Sequence, residues 1–303
     1  MTNSKVSEAT ITNSTAYAAP ADRESPSVPT IIIQPSQGWV ALNLREIWHY
    51  RELLYILVWR DVKVRYKQTA LGVFWVVLQP VVSMLVFSGI FGALLNVPSG
   101  SIPYPLFAFA ALLPWNYFAG SLTRSSNSLV GNANLITKIY FPRLLIPLSG
   151  VLSGLVDFAV SIAVMLVLMM LYRIEITPAI LLLPVFLLLA LLTALGFGLW
   201  LAALNVRYRD VMYLVPFLVQ IWMYLTPVIY SPDLIPAPFR ILLGLNPMTL
   251  VVEGFRWAFF GQAAATLETP AWIYALSLVV MLVALVTGLM FFRRTERTFA
   301  DIV

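Results

Sequence analysis

The stretch from Leu57 to Trp75, LVWRDVKVRYKQTALGVFW, places Arg60, Lys63, Arg65 and Lys67 directly ahead of an unbroken apolar run. Cations beside an apolar run mark the point where a chain enters a bilayer, and about 20 apolar residues in helical form cross the roughly 30 Å hydrocarbon core. Four cations within so short a stretch exceed what orientation alone requires. Two questions follow: how many such runs the chain contains, and what the surplus charge does.

Comparable runs recur at about 72–95, 105–122, 144–171, 178–204, 211–230 and 271–292, punctuated by prolines and short polar loops. Of 303 residues, 60% are hydrophobic and 11% charged, and the mean hydropathy is +0.86, which sets the chain apart from soluble globular domains. The long polar/apolar alternation of an outer-membrane barrel is missing. The reading is an all-α integral membrane protein with six transmembrane helices per subunit. Cations gather in alternate loops, at Arg124, Lys138 and Arg143, at Arg207 and Arg209, and at Arg293, Arg294 and Arg297, whereas the opposite loops hold Arg173, Arg240 and Arg256. This bias puts both termini in the cytoplasm.

Three segments organise the chain. Residues 1–43, rich in Ser, Thr, Pro and Ala and without a signal-peptide apolar stretch, read as a disordered cytoplasmic tail. Residues 44–71 read as an amphipathic interfacial helix: at 100° per residue Arg45, His49, Glu52, Arg60, Lys63 and Lys67 share one face, Trp48, Leu54, Tyr55, Val58 and Val62 lie mostly opposite, and Asp61 and Arg65 fall off the polar face. Residues 72–303 form the membrane domain. Within it, residues 231–262 are apolar yet broken by Pro232, Pro236, Pro238, Gly244 and Pro247. Asn246 followed by Pro247 reads as a helix start and Gly261 as a stop. Two short helices dipping back into the outer leaflet fit this pattern, as does a helical hairpin lying in the interface.

The loop RSSNSLVGNANLITKIYFPR, 124–143, contains a short predicted helix through Leu135, Ile136, Ile139 and Tyr140, capped by Asn132 or Asn134 and ended by Pro142. Outside the bilayer such a helix either docks in a partner's groove or packs on the protein's own underside. Aromatics cluster at span ends, at Trp115, Tyr117 and Phe118, at Trp222, Tyr224 and Tyr230, and at Trp257, Phe259 and Phe260; they suit an interfacial belt, a sugar-stacking surface or a hydrophobic gate. Asp157 is the acid predicted inside a span, either functional or a hydrogen-bonded packing residue beside Ser153 and Ser161.

Several function classes fall away. The chain has no cysteine and one histidine, His49, so no thiolate or His-cluster metal site is expected. The net charge of +5 follows from topology and does not point to nucleic acid. There is no GxxxxGK[ST] phosphate loop, no run of intramembrane carboxylates and no inverted repeat, so a separate chain must power any active transport. A membrane enzyme of glycan processing would want more acids or histidines at the membrane face.

Taken together, WRDVKVRYKQTALGVFW with LQP, NSLVGNANLITKIYFPRLLIPLS, NVRYRD, TPVIY and LNPMTLVVEGFRWAFFG resemble the membrane permease of polysaccharide and polyol-phosphate ABC exporters, most of all the permeases for lipopolysaccharide O-antigen. The similarity covers about residues 31–303. It implies a homodimer in the bacterial inner membrane with two copies of a cytoplasmic ABC ATPase that binds the ATP and Mg, this chain carrying no cofactor, and a lipid-linked glycan such as one on undecaprenyl diphosphate as cargo. Teichoic acid or capsular polysaccharide remains the alternative cargo. The resemblance further implies that 44–67 is a gate helix; with such a cargo its Arg60, Lys63, Arg65 and Lys67 either receive the diphosphate headgroup or serve as a plain topology anchor. It assigns ATPase coupling to Leu135, Ile136, Lys138, Ile139, Tyr140 and Arg143, re-entrant helices to 231–262, and the channel to Trp115, Tyr117, Phe118, Trp222, Tyr224 and Tyr230.

Overall fold

A helix of small and aromatic residues, α4, forms the axis of the structure, and the other elements are arranged by how they reach it. The computed structural model describes residues 44–67, 72–261, 270–296 and 299; the tail expected over 1–43 lies outside them. In chain order the helices are α1 (Leu44–His49), α2 (Arg51–Lys67), α3 (Gly72–Phe87), α4 (Tyr104–Gly131), α5 (Ala133–Lys138), α6 (Leu145–Leu152), α7 (Gly154–Leu171), α8 (Leu183–Arg207), α9 (Val211–Leu225), α10 (Arg240–Leu245), α11 (Pro247–Phe260) and α12 (Ala271–Glu296). Among the described residues there is no strand.

Five segments are long and apolar enough to cross a membrane: Phe74–Leu94, Tyr104–Gly131, Leu145–Leu171, Pro178–Arg207 and Ala271–Glu296. These match five of the six expected spans. The other, α9, has 15 residues, about 22 Å of helix at 1.5 Å per residue, and its chain leaves the helix at Thr226, ahead of Pro227. Prolines also sit inside α3, α4 and α9, at Pro80, Pro114 and Pro216, where neighbouring helices can satisfy the carbonyls they free. The first span ends as a π-helix over Ser88–Leu94. Gly92 there lies so close to the Tyr104 ring that a Cβ would stand 2.9 Å from it.

Packing follows membrane rules, in which small residues let backbones approach. α8 crosses α12 at Gly196 and Gly288: a Cβ on Gly288 would sit 2.3 Å from the Gly196 carbonyl oxygen. α4 packs against α8, α6, α7 and α11, with Phe109, Phe118 and Leu122 wholly buried. A second, smaller core lies at the end of the bundle that carries α2, where Leu57 meets Ile136, Leu145, Ile146, Val206 and Phe292.

The interrupted segment before the last span resolves into two short turns and then α10 and α11. The Asn246 carboxamide oxygen accepts from Met248 N at 3.0 Å, Pro247 opens α11, and Gly261 ends it at φ +57°, as the sequence predicts. α11 is no surface element, since Met248, Val252, Phe255 and Phe259 are fully buried against the bundle. Its Arg256 and Glu253 form an ion pair of 2.7 Å, 1% and 6% exposed. The guanidinium also donates to the Val228 carbonyl at 2.8 Å and lies 3.6 Å from the centre of the Phe107 ring. It thereby ties down the irregular chain that follows α9.

Because the obstacle at the α8–α12 crossing is backbone, Gly288→Leu should force the two helices apart and cost about 1–3 kcal/mol of stability or more. A thermal melt of the detergent-purified protein, followed by tryptophan fluorescence, should shift down by several degrees; an unchanged melt would mean that the crossing is not the tight contact described.

Candidate functional site

The surplus cations of the opening stretch do not act as one group. α2 lies along α6 with Leu57 and Val62 buried, and this docking turns Asp61 and Arg65 inward. The two residues that fall off the polar face of the helical wheel are therefore the ones that seat the helix. Trp48 of α1 and Tyr55 of α2, predicted opposite the cations, are exposed together with Ile56, Trp59 and Val64, so polar and apolar side chains share the outer surface of α2.

Asp61 accepts from its neighbour Arg60 at 2.7 Å, and its other oxygen lies 3.2 Å from the Ser149 hydroxyl of α6. Arg65 donates to one oxygen of Asp157 on α7 and reaches the Ser153 hydroxyl at 3.4 Å. The Tyr66 hydroxyl donates to the other Asp157 oxygen. Burial first, and then this bond to the carboxylate, push the Tyr66 phenol up to about 12, so near neutral pH it remains a neutral donor. Arg124 of α4 completes the cluster: it lies 3.9 Å from the same Asp157 oxygen that takes Arg65, and donates to the Gly150 carbonyl at 2.9 Å and to Ser121 at 3.1 Å.

Lys63 and Lys67 point outward. With Arg60 and Val64 they line an open depression of about 300 Å³ on the exposed side of α2. The arrangement offers two ammonium groups and the edge of a guanidinium to an anion arriving from outside the bundle.

The predicted coupling residues divide in the same way. α5 ends at Lys138, and Ile139 is extended (φ −130°, ψ 133°), so the helix stops short of Ile139 and Tyr140, which the spacing included. Pro142 disfavours helix in the residue before it. Ile136 is buried in the lower core and Leu135 packs against it. Lys138 is exposed, as are Ile139 at 57% and Tyr140 at 72%. Arg143 is tied to the end of α12, its guanidinium donating to the Glu296 carbonyl and its backbone N–H to the Glu296 carboxylate at 3.2 Å.

Of the aromatics, Trp115, Tyr117 and Phe118 are buried within the bundle. Phe118 meets the edge of Trp222 at 5.0 Å between ring centres, and Tyr117 meets Phe158 at 5.6 Å. The Trp222 indole donates to Asn246 at 2.9 Å. Tyr224 is exposed, and Tyr230, half-buried, donates to the Tyr224 carbonyl at 3.3 Å. Beside Tyr224, α9 also exposes Tyr213, Phe217 and Gln220, which share its stripe at helical spacing; sequence reasoning passed over them because they are spread along the helix and form no cluster in the sequence. It also missed Tyr66 and the convergence on Asp157, for which the off-face positions of Asp61 and Arg65 were the available signal. Among the described residues no group of three or more His, Cys, Asp or Glu side chains comes together.

The family described as ABC-2 type transporter matches residues 52–260, from the start of α2 to the end of α11. The chain belongs to this family of transport permeases. It is similar to the O-antigen export system permease protein RfbA of Myxococcus xanthus, with 34% identity over 78% of this chain and 92% of the relative. The namesake from Klebsiella pneumoniae is 30% identical over 83% and 95%. More distant is the polysialic acid transport protein KpsM of Escherichia coli, 27% identical over 66% and 78%. As an ABC-2 permease with several apolar helices, the protein is multi-pass.

Asn246 joins α11 to α9, since it caps the first, accepts from Trp222 and donates to Thr226 at 2.8 Å. Asn246→Ala should cost about 1 kcal/mol for the lost cap and about 1–3 kcal/mol for the orphaned indole. Asn246→Asp, which keeps both acceptors, should retain more of the stability. Equal melting points for the two variants and the parent would contradict this assignment.

Proposed function

We propose that the chain is the membrane subunit of an ATP-driven exporter that moves an O-antigen polysaccharide, linked to undecaprenyl diphosphate, across the bacterial inner membrane. The observation that carries this reading is the near full-length similarity to two O-antigen export permeases. In the functional unit two copies enclose the glycan path, and two cytoplasmic ABC ATPase subunits bind the ATP and Mg. α9, extended by the apolar chain to Tyr230, makes the sixth crossing, so both termini lie in the cytoplasm, where the cationic loops are. Residues 1–43 form the cytoplasmic tail, 44–71 the gate helix and 72–303 the permease domain, with α10 and α11 re-entering from the outer side.

The roles of the site residues follow from their exposure. Lys63 and Lys67, with Arg60, receive the diphosphate headgroup at the cytoplasmic surface, where each cation near an anionic surface contributes about 1 kcal/mol. Lys138, Ile139 and Tyr140 face outward to meet the ATPase, while Leu135, Ile136 and Arg143 brace the loop from within. The aromatic path runs past Tyr224. Capsular polysaccharide is the second reading, supported by the weaker similarity to KpsM and to the capsule polysaccharide export protein CtrC of Neisseria meningitidis.

Export of lipid-linked glycan in a deletion strain, with mass analysis of the polymer, tests the reading directly. A complemented strain should regain surface O-antigen; restoration of a capsule instead would favour the second reading. Lys63→Gln with Lys67→Gln should leave insertion and basal ATP hydrolysis intact and cut export several-fold, whereas Arg at both positions should preserve most of it. Export at the parental rate in the double Gln variant would remove the headgroup role.

Ile139→Asp with Tyr140→Asp should separate hydrolysis from export, because both side chains are exposed and neither supports the core. Co-purification with the ATPase should fall while the permease stays in the membrane. Undiminished export would send the coupling contact elsewhere.

A further inference from the structure

Asp157 has more cationic partners than it needs. Arg65 and Tyr66, both from the last turn of α2, take its two oxygens. Arg124 approaches one of those oxygens from α4 and is held in place independently, by the Gly150 carbonyl and Ser121. Two guanidinium groups thus share one carboxylate, one fixed in the bundle and the other on α2. Asp61, the acid on the inward side of α2 itself, is engaged by Arg60.

This asymmetry makes the contact separable. Withdrawing one member of a partly buried ion pair ordinarily leaves an uncompensated charge at membrane depth. Here, if Arg65 withdraws, Arg124 still faces Asp157, and the carboxylate is not abandoned. Arg65, for its part, has a use elsewhere: it stands two positions from both Lys63 and Lys67 but on the opposite face of α2, so it reaches the same anion only once the helix has left its seat.

We infer that Asp157 is an internal anion that competes with the substrate's diphosphate for Arg65, holding α2 docked on α6 and α7 until the headgroup draws Arg65 away. The inference rests on the reading that the cations of α2 meet an anionic lipid headgroup, and adds to it a positioning role for Asp157 and Tyr66. Docked, Arg65 is committed to Asp157 and the outward cations attract the headgroup. Released, Arg65 joins them on the diphosphate, α2 leaves its seat, and Arg124 keeps Asp157 paired.

The test measures binding of farnesyl diphosphate, a short polyprenyl diphosphate, to the purified complex with its ATPase, with farnesol as the uncharged control. A latch closed nine-tenths of the time weakens apparent affinity about tenfold, so Asp157→Asn should tighten binding by up to about that factor. Tyr66→Phe, which removes one latch donor and keeps every charge, should tighten it by a smaller factor and guards against misfolding of the Asp157 variant. Arg65→Gln should weaken binding. A purely structural role for Asp157 would not give shifts of opposite sign, and unchanged or weaker binding in both Asp157→Asn and Tyr66→Phe overturns the latch.

A second arm does not depend on the ligand. The chain has no cysteine, so Asp61→Cys with Ser149→Cys, whose native side chains lie 3.2 Å apart, reports α2 docking through disulfide yield. That yield should fall when Tyr66→Phe or Arg65→Gln is added, and an unchanged yield in both also overturns the latch. If the parent binds no farnesyl diphosphate yet the yield still depends on Tyr66 and Arg65, the headgroup reading fails and the competition with it, and only the docking contact stands.

Discussion

Water does not reach the hydrocarbon core of a bilayer, and a polar atom carried to that depth must find its partner within the protein. Among the described residues, polar side chains between the apolar helices find such partners at three places. Arg256 and Glu253 neutralise one another inside α11 while the guanidinium satisfies carbonyls of the broken chain after α9. Asn246 spends its amide on the end of α9 and its oxygen on α11 and Trp222. Asp157 collects side chains from α2 and α4. Replacing any of these clusters with apolar residues would leave the helices free to shift against one another, since lipid offers no hydrophobic force to hold apolar helices together.

The helices themselves were legible in the sequence because a bilayer imposes a length and a composition that a run of residues either meets or does not. Five expected spans appear as helices of spanning length, and the start and stop of α11 could be read from Asn246, Pro247 and Gly261, whose roles are set by local backbone chemistry. α9 was harder to read. Its apolar run continues past Leu225, but hydropathy does not register that Thr226 and Pro227 leave the helix. The end of α5 was overestimated for a similar reason, as helical spacing cannot reveal where the backbone turns extended ahead of Phe141 and Pro142.

Side-chain partnerships were less legible, because they depend on which helices meet. The wheel for α2 correctly separated Asp61 and Arg65 from the other charges, yet nothing local says that α6 and α7 supply Ser149 and Asp157, 88 and 92 positions away from their partners in sequence. Asp157 was visible as an anomaly, a carboxylate within an apolar stretch, and its partner was not. The aromatic clusters show the converse. Clustering at span ends singled out Trp115, Tyr117 and Phe118, which are buried, and separately Trp222, which Phe118 meets, while Tyr213 and Phe217 lie exposed along α9, one turn apart, and form no cluster in the sequence.

The density of cations at the start of the first span now has a geometric explanation. Positions 61 and 65 are four apart, as are 63 and 67, so an α-helix sends the two pairs to different faces. The inner face carries Asp61 and Arg65 and binds the helix to the bundle; the outer face carries Lys63 and Lys67 and leaves their charge in the open. The residue types suit these surroundings. A guanidinium is weakly hydrated and forms several directed bonds at once, which fits a partly buried carboxylate with a serine beside it, whereas an ammonium is a compact, strongly hydrated charge suited to an exposed position. One short helix is therefore fastened to the membrane domain through one face while its other face presents positive charge outward.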